Sequence, residues 1–332
     1  MTASDLVRDP SAAPGTQGPA PTIGPVSAMT APAGVSEPTG PVAVARGLVR
    51  ACRPRQWAKN VLVLAAPAAA GVLFEPGVLR ATIIATVAFS LCASGGYLLN
   101  DALDVHRDRL HEVKRHRPVA SGRVPVGLAK TLGAILMVGS VAAAAVLVNW
   151  QLAGVLAGYA CLTFSYSSWL KHVPIVEMLA VAAGFLLRAV AGGVATDVPL
   201  SRWFLTVATF GSLYIVAGKR FAEANALGDQ AVHTRRCLAA YPPAYLRQMR
   251  EVFAGITLLA YCLWAFQGDP AGPPWAQLSV ALVTFGVMRY ALLLERGEGG
   301  APEDVILGDR ALLIAAGLWV VLFCLGAWRV GA

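Results

Sequence analysis

Charge is what this sequence has least of: 14% of its 332 residues are Asp, Glu, Lys or Arg, against about 25% in an ordinary soluble chain. With 56% of positions hydrophobic and a mean hydropathy of +0.59, that scarcity excludes a typical cytosolic enzyme. It equally excludes a disordered chain or a coiled coil. Paired cysteines are also missing. The six that occur, Cys52, Cys92, Cys161, Cys237, Cys262 and Cys324, stand singly, four of them inside apolar runs and none in a C-x-x-C pair. They read as small buried hydrophobes, and neither a disulfide scaffold nor a zinc site is expected. No basic stretch leads into a short apolar core near the N-terminus, so no signal peptide is read there. Acidic residues number 19 against 27 Lys and Arg, a net charge of +8. The basic residues cluster at the ends of long apolar segments, which points to a lipid bilayer as the anionic partner and away from nucleic acid.

Residues 1–45 are rich in Pro, Ala, Gly, Ser and Thr and carry few large apolar side chains. Such a composition cannot bury enough surface to fold, and a disordered cytoplasmic tail is expected. From 46 to 332 the chain alternates apolar stretches with short polar links. A spanning helix needs about 20 mostly apolar residues. Nine stretches qualify, at 56–74, 79–99, 128–148, 150–170, 173–193, 200–218, 251–267, 274–294 and 311–328, the first being interrupted by Pro67. They lack the two-residue alternation of membrane barrel strands. An all-α bundle of nine transmembrane helices is therefore expected.

Nine crossings segregate the cations. One side collects Arg46, Arg50, Arg53, Arg55 and Lys59, six cations between Arg107 and Arg123, Lys171, six more between Lys219 and Arg250, then Arg296 and Arg310. The other side holds Arg80, Arg202 and Arg329. The positive-inside rule puts the N-terminus and both long basic connections in the cytoplasm.

Chemistry concentrates on those connections. The second stretch ends Asn100-Asp101-Ala102-Leu103-Asp104-Val105-His106-Arg107-Asp108. On a continuous helix, steps of about 100° bring Asp101, Asp104 and Asp108 within roughly 60° of one another, with Asn100 beside Asp104. Like charges so spaced repel. Oxygen-only ligands of this kind suit Mg²⁺ bridging one or two carboxylates to substrate phosphates. The bland alternative is a solvated helix end paired with Arg107, Arg109 and Lys114. Downstream, Lys114, Arg117 and Arg123 are candidates to grip phosphate oxygens, although topology alone also predicts cations there. Pro118 fixes the backbone beside Arg117, which favours that residue.

The second long connection opens Tyr214-Ile215-Val216-Ala217-Gly218-Lys219-Arg220-Phe221-Ala222-Glu223. Lys219 and Arg220 lie four and three residues before Glu223, so a helix clusters all three. A snorkelling anchor is the plain alternative. A straight helix turns Tyr214 away from Glu223, so either Gly218 breaks it or Tyr214 packs. Arg188 falls within an apolar stretch, where an unpaired charge costs at least about 2.5–3.5 kcal/mol, so it faces the bundle interior or a hydrated cavity. Glu177 is about 16 Å away along a helix axis, too far for a direct pair with Arg188. Lys171 caps the cytoplasmic end of the fourth stretch, and Lys59 with Asn60 opens the first.

The run Asn100-Asp101-x-x-Asp104-x-x-x-Asp108 is similar to the first signature of the UbiA-type intramembrane prenyltransferase superfamily. Arg117-Pro118 with Ser121-Gly122, the nine stretches, and Tyr166 to Lys171 resemble it as well. Most members carry a second Asp-rich motif after helix six. Here that place holds Tyr214-x-x-x-Gly218-Lys219-Arg220-x-x-Glu223, which, with the opening Arg53-Pro54-Arg55-Gln56-Trp57-x-Lys59-Asn60, resembles the decaprenyl-phosphate phosphoribosyltransferase branch. The resemblance implies Mg²⁺ as cofactor, phosphoribosyl diphosphate as donor, a polyprenyl phosphate as acceptor, and a product on the route to cell-wall arabinan. It implies that Asn100, Asp101, Asp104 and Asp108 hold Mg²⁺ on the diphosphate. Lys59, Lys114, Arg117, Arg123, Lys171, Arg188, Tyr214, Lys219, Arg220 and Glu223 are the expected substrate-binding residues.

Three rivals compete with that branch. A prenyltransferase acting on an aromatic acid or haem needs carboxylates for a second metal, and beyond Glu223 that connection offers Asp229. A cation-coupled transporter would line a path with Asp101, Asp104, Asp108 and Arg188, but the charges gather on loops at one face and no repeat relates the halves. An alcohol phosphotransferase needs a Gly and an Arg just after its Asp pair, a spacing that Val105-His106-Arg107 does not supply. A dimer or trimer suits such a bundle, with no segment arguing for either.

Overall fold

In a computed structural model the described residues are 40–227, 237–267, 274–298 and 302–330. All of their regular structure is helical. The first is α1 (Pro41–Ala51), which starts inside the stretch expected to be a tail; the remainder of that expectation, residues 1–39, lies outside the described residues. Pro41 at the first helical position supplies the fixed φ that a helix start favours.

The first apolar stretch corrects the expectation of a straight spanning helix. A 3₁₀ helix, Pro54–Leu64, runs into a short α2 (Ala65–Ala69). Arg53 enters in the left-handed region at φ 53°, and Pro54 and Pro67 each lack a backbone N–H. This segment seats closely on a later helix, α7 (Val176–Thr196). A Cβ on Gly192 would fall 1.9 Å from the Val63 carbonyl oxygen, so only glycine fits there.

The long helices follow as α3 (Pro76–Leu103), a five-residue α4 (Val105–Arg109), α5 (Val126–Leu147), α6 (Trp150–Ser168), α7, α8 (Arg202–Leu227), α9 (Pro243–Ala265), α10 (Trp275–Glu295), a short α11 (Pro302–Gly308) and α12 (Arg310–Val330). Successive long helices pack on one another, and α12 returns to touch α2. Along α3 the hydroxyls of Thr82, Thr86, Ser90 and Ser94 donate to carbonyls four residues earlier. Polar side chains inside an apolar bundle are thereby satisfied. A Cβ on Gly95 would lie 2.6 Å from the Gly133 carbonyl oxygen, so glycine lets α3 and α5 cross closely. Asn149 caps α6 by accepting the Leu152 N–H at 2.8 Å. The 88° bend between α11 and α12 falls at Asp309, which accepts the Leu312 N–H and pairs with Arg289 at 2.7 Å.

Among the described residues four helices, α3, α5, α7 and α10, are long and apolar enough to cross a membrane, or five if the bent pair α11–α12 counts as one span. Outward-facing Ile135, Val138, Val146, Leu259, Met288 and Leu318 are exposed. So much exposed apolar surface suits lipid and not water. The chain is built as an integral membrane protein.

Candidate active site

The carboxylate run begins on α3, whose helix stops at Asp104 (φ −88°, ψ 6°) before α4 resumes at Val105. That interruption corrects the expected single stripe. Asp101 and Asp108 are buried and converge on Arg117, whose Nη1 lies 3.2 Å from Asp101 Oδ1 and 2.8 Å from Asp108 Oδ2. Arg53 Nη2 donates to the same Asp101 oxygen at 2.6 Å and its guanidinium lies 4.8 Å from the Tyr97 ring centre. Asp104 instead turns to Lys171, whose Nζ donates to both carboxylate oxygens at 2.9 and 3.2 Å. Asn100 lines a groove with Leu99, Leu103, Met137 and Phe164.

Arg117 reaches its place because it is extended, with ψ 144°, immediately before Pro118, as the proline's δ carbon requires of its neighbour. The burial is unequal across these pairs. The Asp101 and Asp108 side chains are 2% and 4% exposed, whereas Arg53 and Arg117 are 31% and 29% exposed. Buried carboxylates thus hold cations whose outer faces remain open to an anionic ligand. Among the described residues, no three His, Cys, Asp or Glu side chains gather as a metal cluster. One nitrogen already sits between two carboxylate oxygens, however, and an all-oxygen pair of that kind suits Mg²⁺ completed by phosphates and water.

A second charged group joins α7 to α8. Arg220 donates through Nε and Nη2 to the two oxygens of Glu177 at 2.7 and 2.5 Å, and through Nη1 to Glu223 at 2.5 Å. The expected clustering of Arg220 with Glu223 is present; Glu177, too far for Arg188, serves Arg220. Arg220 is buried and clamps α7 to α8 through these two carboxylates. Lys219, half-buried, precedes it on α8.

For Tyr214 the structure decides between the two expectations. Helix α8 runs unbroken through Gly218, where a Cβ would meet Leu294 Cδ1 at 2.7 Å, so the glycine serves close packing on α10. Tyr214 is buried there, donating to the Val287 carbonyl at 2.6 Å and meeting Tyr290 edge-on. It takes the packing place. Arg188 faces the interior as its position demands: it donates to Asn60 Oδ1, the Tyr159 hydroxyl and the Gly184 carbonyl at 2.7, 2.9 and 2.6 Å. The Phe89, Tyr159 and Phe185 rings surround it within 5.8 Å. Three acceptors and three rings replace a carboxylate partner, so Arg188 ties the 54–64 segment to α6 and α7.

Lys59 pairs with Glu303 at 3.3 Å and donates to Gln56. Lys114 and Arg123 lie half-buried on the connection between α4 and α5. Asp229 lies outside the described residues. Arg53 and Glu303 are the site groups that residue spacing did not single out. Arg53 had a local signal, its place before Pro54. Glu303 follows Pro302 as an ordinary helix start, and nothing in the sequence links it to Gln56, 247 residues away.

Residues 61–308 match the sequence profile of the UbiA prenyltransferase family. The chain belongs to that family. Among relatives of this UbiA-family chain, the decaprenyl-phosphate phosphoribosyltransferase of Mycobacterium tuberculosis is 44% identical over 284 residues, covering 84% of this chain and 94% of that protein. The protein of the same name from Corynebacterium glutamicum is 41% identical over 291 residues, covering 86% and 87%. A UbiA homolog from Archaeoglobus fulgidus, solved with GPP and Mg²⁺, superposes with a TM-score of 0.67 at 15% identity, covering 85% of this chain and 99% of that one. That likeness establishes the UbiA fold.

Proposed function

We propose that this UbiA-family protein transfers the 5-phosphoribosyl group from phosphoribosyl diphosphate to decaprenyl phosphate, releasing diphosphate. The observation that carries the reading is the unequal pair of charged groups. One acidic cluster, Asp101 with Asp108, is ringed by half-exposed cations, while the place of a second metal site holds the buried Arg220–Glu177 clamp. A donor with a diphosphate and a 5-phosphate, and an acceptor with a lipid phosphate, need that division: one metal site and several independent cations. Relatives covering most of the chain at 41–44% identity and named decaprenyl-phosphate phosphoribosyltransferase support it.

Asp101 and Asp108, with Asp104 alongside, would hold Mg²⁺. The ion would neutralise the diphosphate as it leaves. Arg53, Arg117 and Lys171 orient the phosphates, and Lys59, Lys114, Arg123 and Lys219 supply further cations for the 5-phosphate and the lipid phosphate. A lipid phosphate oxygen attacks C1 of the ribose as the C1–O bond to diphosphate breaks. That oxygen is already anionic, so no general base is needed. Glu223, held by Arg220 and 29% exposed, is a further polar group on α8 for the substrate.

We place the N-terminus, the Asp101 region and the Lys219 region on the cytoplasmic side, with nine crossings in which 54–69 forms the first. Segregation of Lys and Arg supports this topology. The product is a polyprenyl-phosphoryl 5-phosphoribose, a precursor suited to cell-wall arabinan.

A transfer assay in detergent with labelled phosphoribosyl diphosphate and decaprenyl phosphate tests the reading. Label is expected in the lipid fraction with Mg²⁺ and not with a chelator. Label absent from lipid, with turnover of a prenyl diphosphate and an aromatic acid, returns the protein to the general prenyltransferase reading.

A further inference from the structure

The 54–64 segment meets the rest of the protein through polar contacts of different kinds, Trp57 donating to Ser94 at 3.0 Å between the two that follow. Inside, Asn60 is buried, donates to Ser90 at 2.8 Å and accepts from Arg188. At its opening end, Gln56 donates to Glu303 Oε1 at 2.9 Å, and Lys59 pairs with that same oxygen while donating to the Gln56 side-chain carbonyl oxygen. The three side chains close a triangle: Gln56 to Glu303, Glu303 to Lys59, Lys59 to Gln56. Glu303 belongs to α11, joined to α12 through the 88° bend, whereas Lys59 and Gln56 lie near the start of the chain.

A lysine left to itself is a flexible point charge on a four-carbon stem. Here the Lys59 side chain is 24% exposed and that of Glu303 19%, so the ammonium is half-sheltered and held from two directions. A carboxylate in that place restricts the rotamers of the lysine, so less entropy is lost when an anion arrives. Gln56 adds direction: its amide nitrogen anchors the carboxylate and its amide oxygen receives the lysine. The same 3₁₀ segment begins next to Arg53, which contacts Asp101. The triangle therefore aligns a second cation on the element that already delivers one to the acidic cluster.

We propose that Glu303, with Gln56, is a positioning residue for Lys59, holding its ammonium aimed at a phosphate of the donor. This rests on the reading of Lys59 as a phosphate ligand. Glu303 touches no substrate and acts through the lysine.

The test has two arms on the full chain in detergent. The first reads Lys59 alone, independently of any reaction, by mass spectrometry after brief treatment with an amine-acylating reagent. Glu303→Gln keeps the shape but removes the charge; labelling of Lys59 is expected to rise several-fold over the parent protein while that of Lys130 stays constant. Unchanged labelling of Lys59 overturns the proposal. In the second arm, Glu303→Gln is expected to raise KM for phosphoribosyl diphosphate about tenfold, the equivalent of 1.4 kcal/mol, with kcat within twofold. Lys59→Ala combined with Glu303→Gln is expected to be no worse than Lys59→Ala alone. Independent, multiplying losses, or a fall in kcat at constant KM, overturn it. Absence of any transfer by the parent protein refutes the reading of the reaction instead, and leaves the first arm to decide whether Glu303 holds Lys59.

Discussion

The two charged regions use the same residue types and differ in which partner is buried. Around Asp101 the carboxylates are inside and the arginines half outside; around Glu177 both partners are buried and the arginine is bound at both of its faces. A pair with one open side can exchange partners with a ligand, because the cation's outer donors are already hydrated. A closed pair cannot, since opening it strands a charge where solvation is poor. Similar chemistry on neighbouring helices is thus left open in one place and closed in the other.

Breaking the closed pair is expected to have the largest effect. Glu177→Ala leaves Arg220 buried with Glu223 alone and costs about 3–5 kcal/mol, read as a large drop in the thermal unfolding midpoint in detergent. An unchanged midpoint would place Arg220 among the exchangeable cations. Next comes the open region. Asp101→Asn is expected to reduce transfer about 10²–10³-fold with the unfolding midpoint nearly retained; a collapse in stability at comparable loss would make the two regions alike. Lys171→Ala sharpens the contrast further, since its pair with Asp104 is partly exposed on both sides. Its stability cost stays below about 1 kcal/mol, while KM for phosphoribosyl diphosphate rises, as steady-state kinetics would show. The smallest effect is expected from removing residues 1–39: turnover stays within twofold, because every group in both regions lies later in the chain. A larger loss in the same assay would bring a third region into the comparison.

The open region was partly legible. Asp101, Asp104 and Asp108 stand out by spacing, and Arg117 by its proline. Their division was not, because a helix that stops at Asp104 rotates the residues beyond it, and no residue type there announces a stop. The closed region reads differently. The pairing of Arg220 with Glu223 agrees with three-residue spacing, but Glu177 lies 43 residues from Arg220 and on another helix. Tyr214 shows a related limit: in the sequence Gly218 is compatible with a break in the helix, and in the fold it is a point of close approach to Leu294.

By itself the sequence determined the class of solvent, the helical architecture and the residues able to carry charge. Long apolar stretches cannot satisfy their backbone in lipid except as helices, and the cations had to gather at their ends. Only the tertiary structure decided the bent first segment, the partners of Arg53, Arg188 and Glu303, and which ion pairs stay open. Those depend on contacts between residues far apart in the chain, where distance and burial are set by packing and leave no periodic trace.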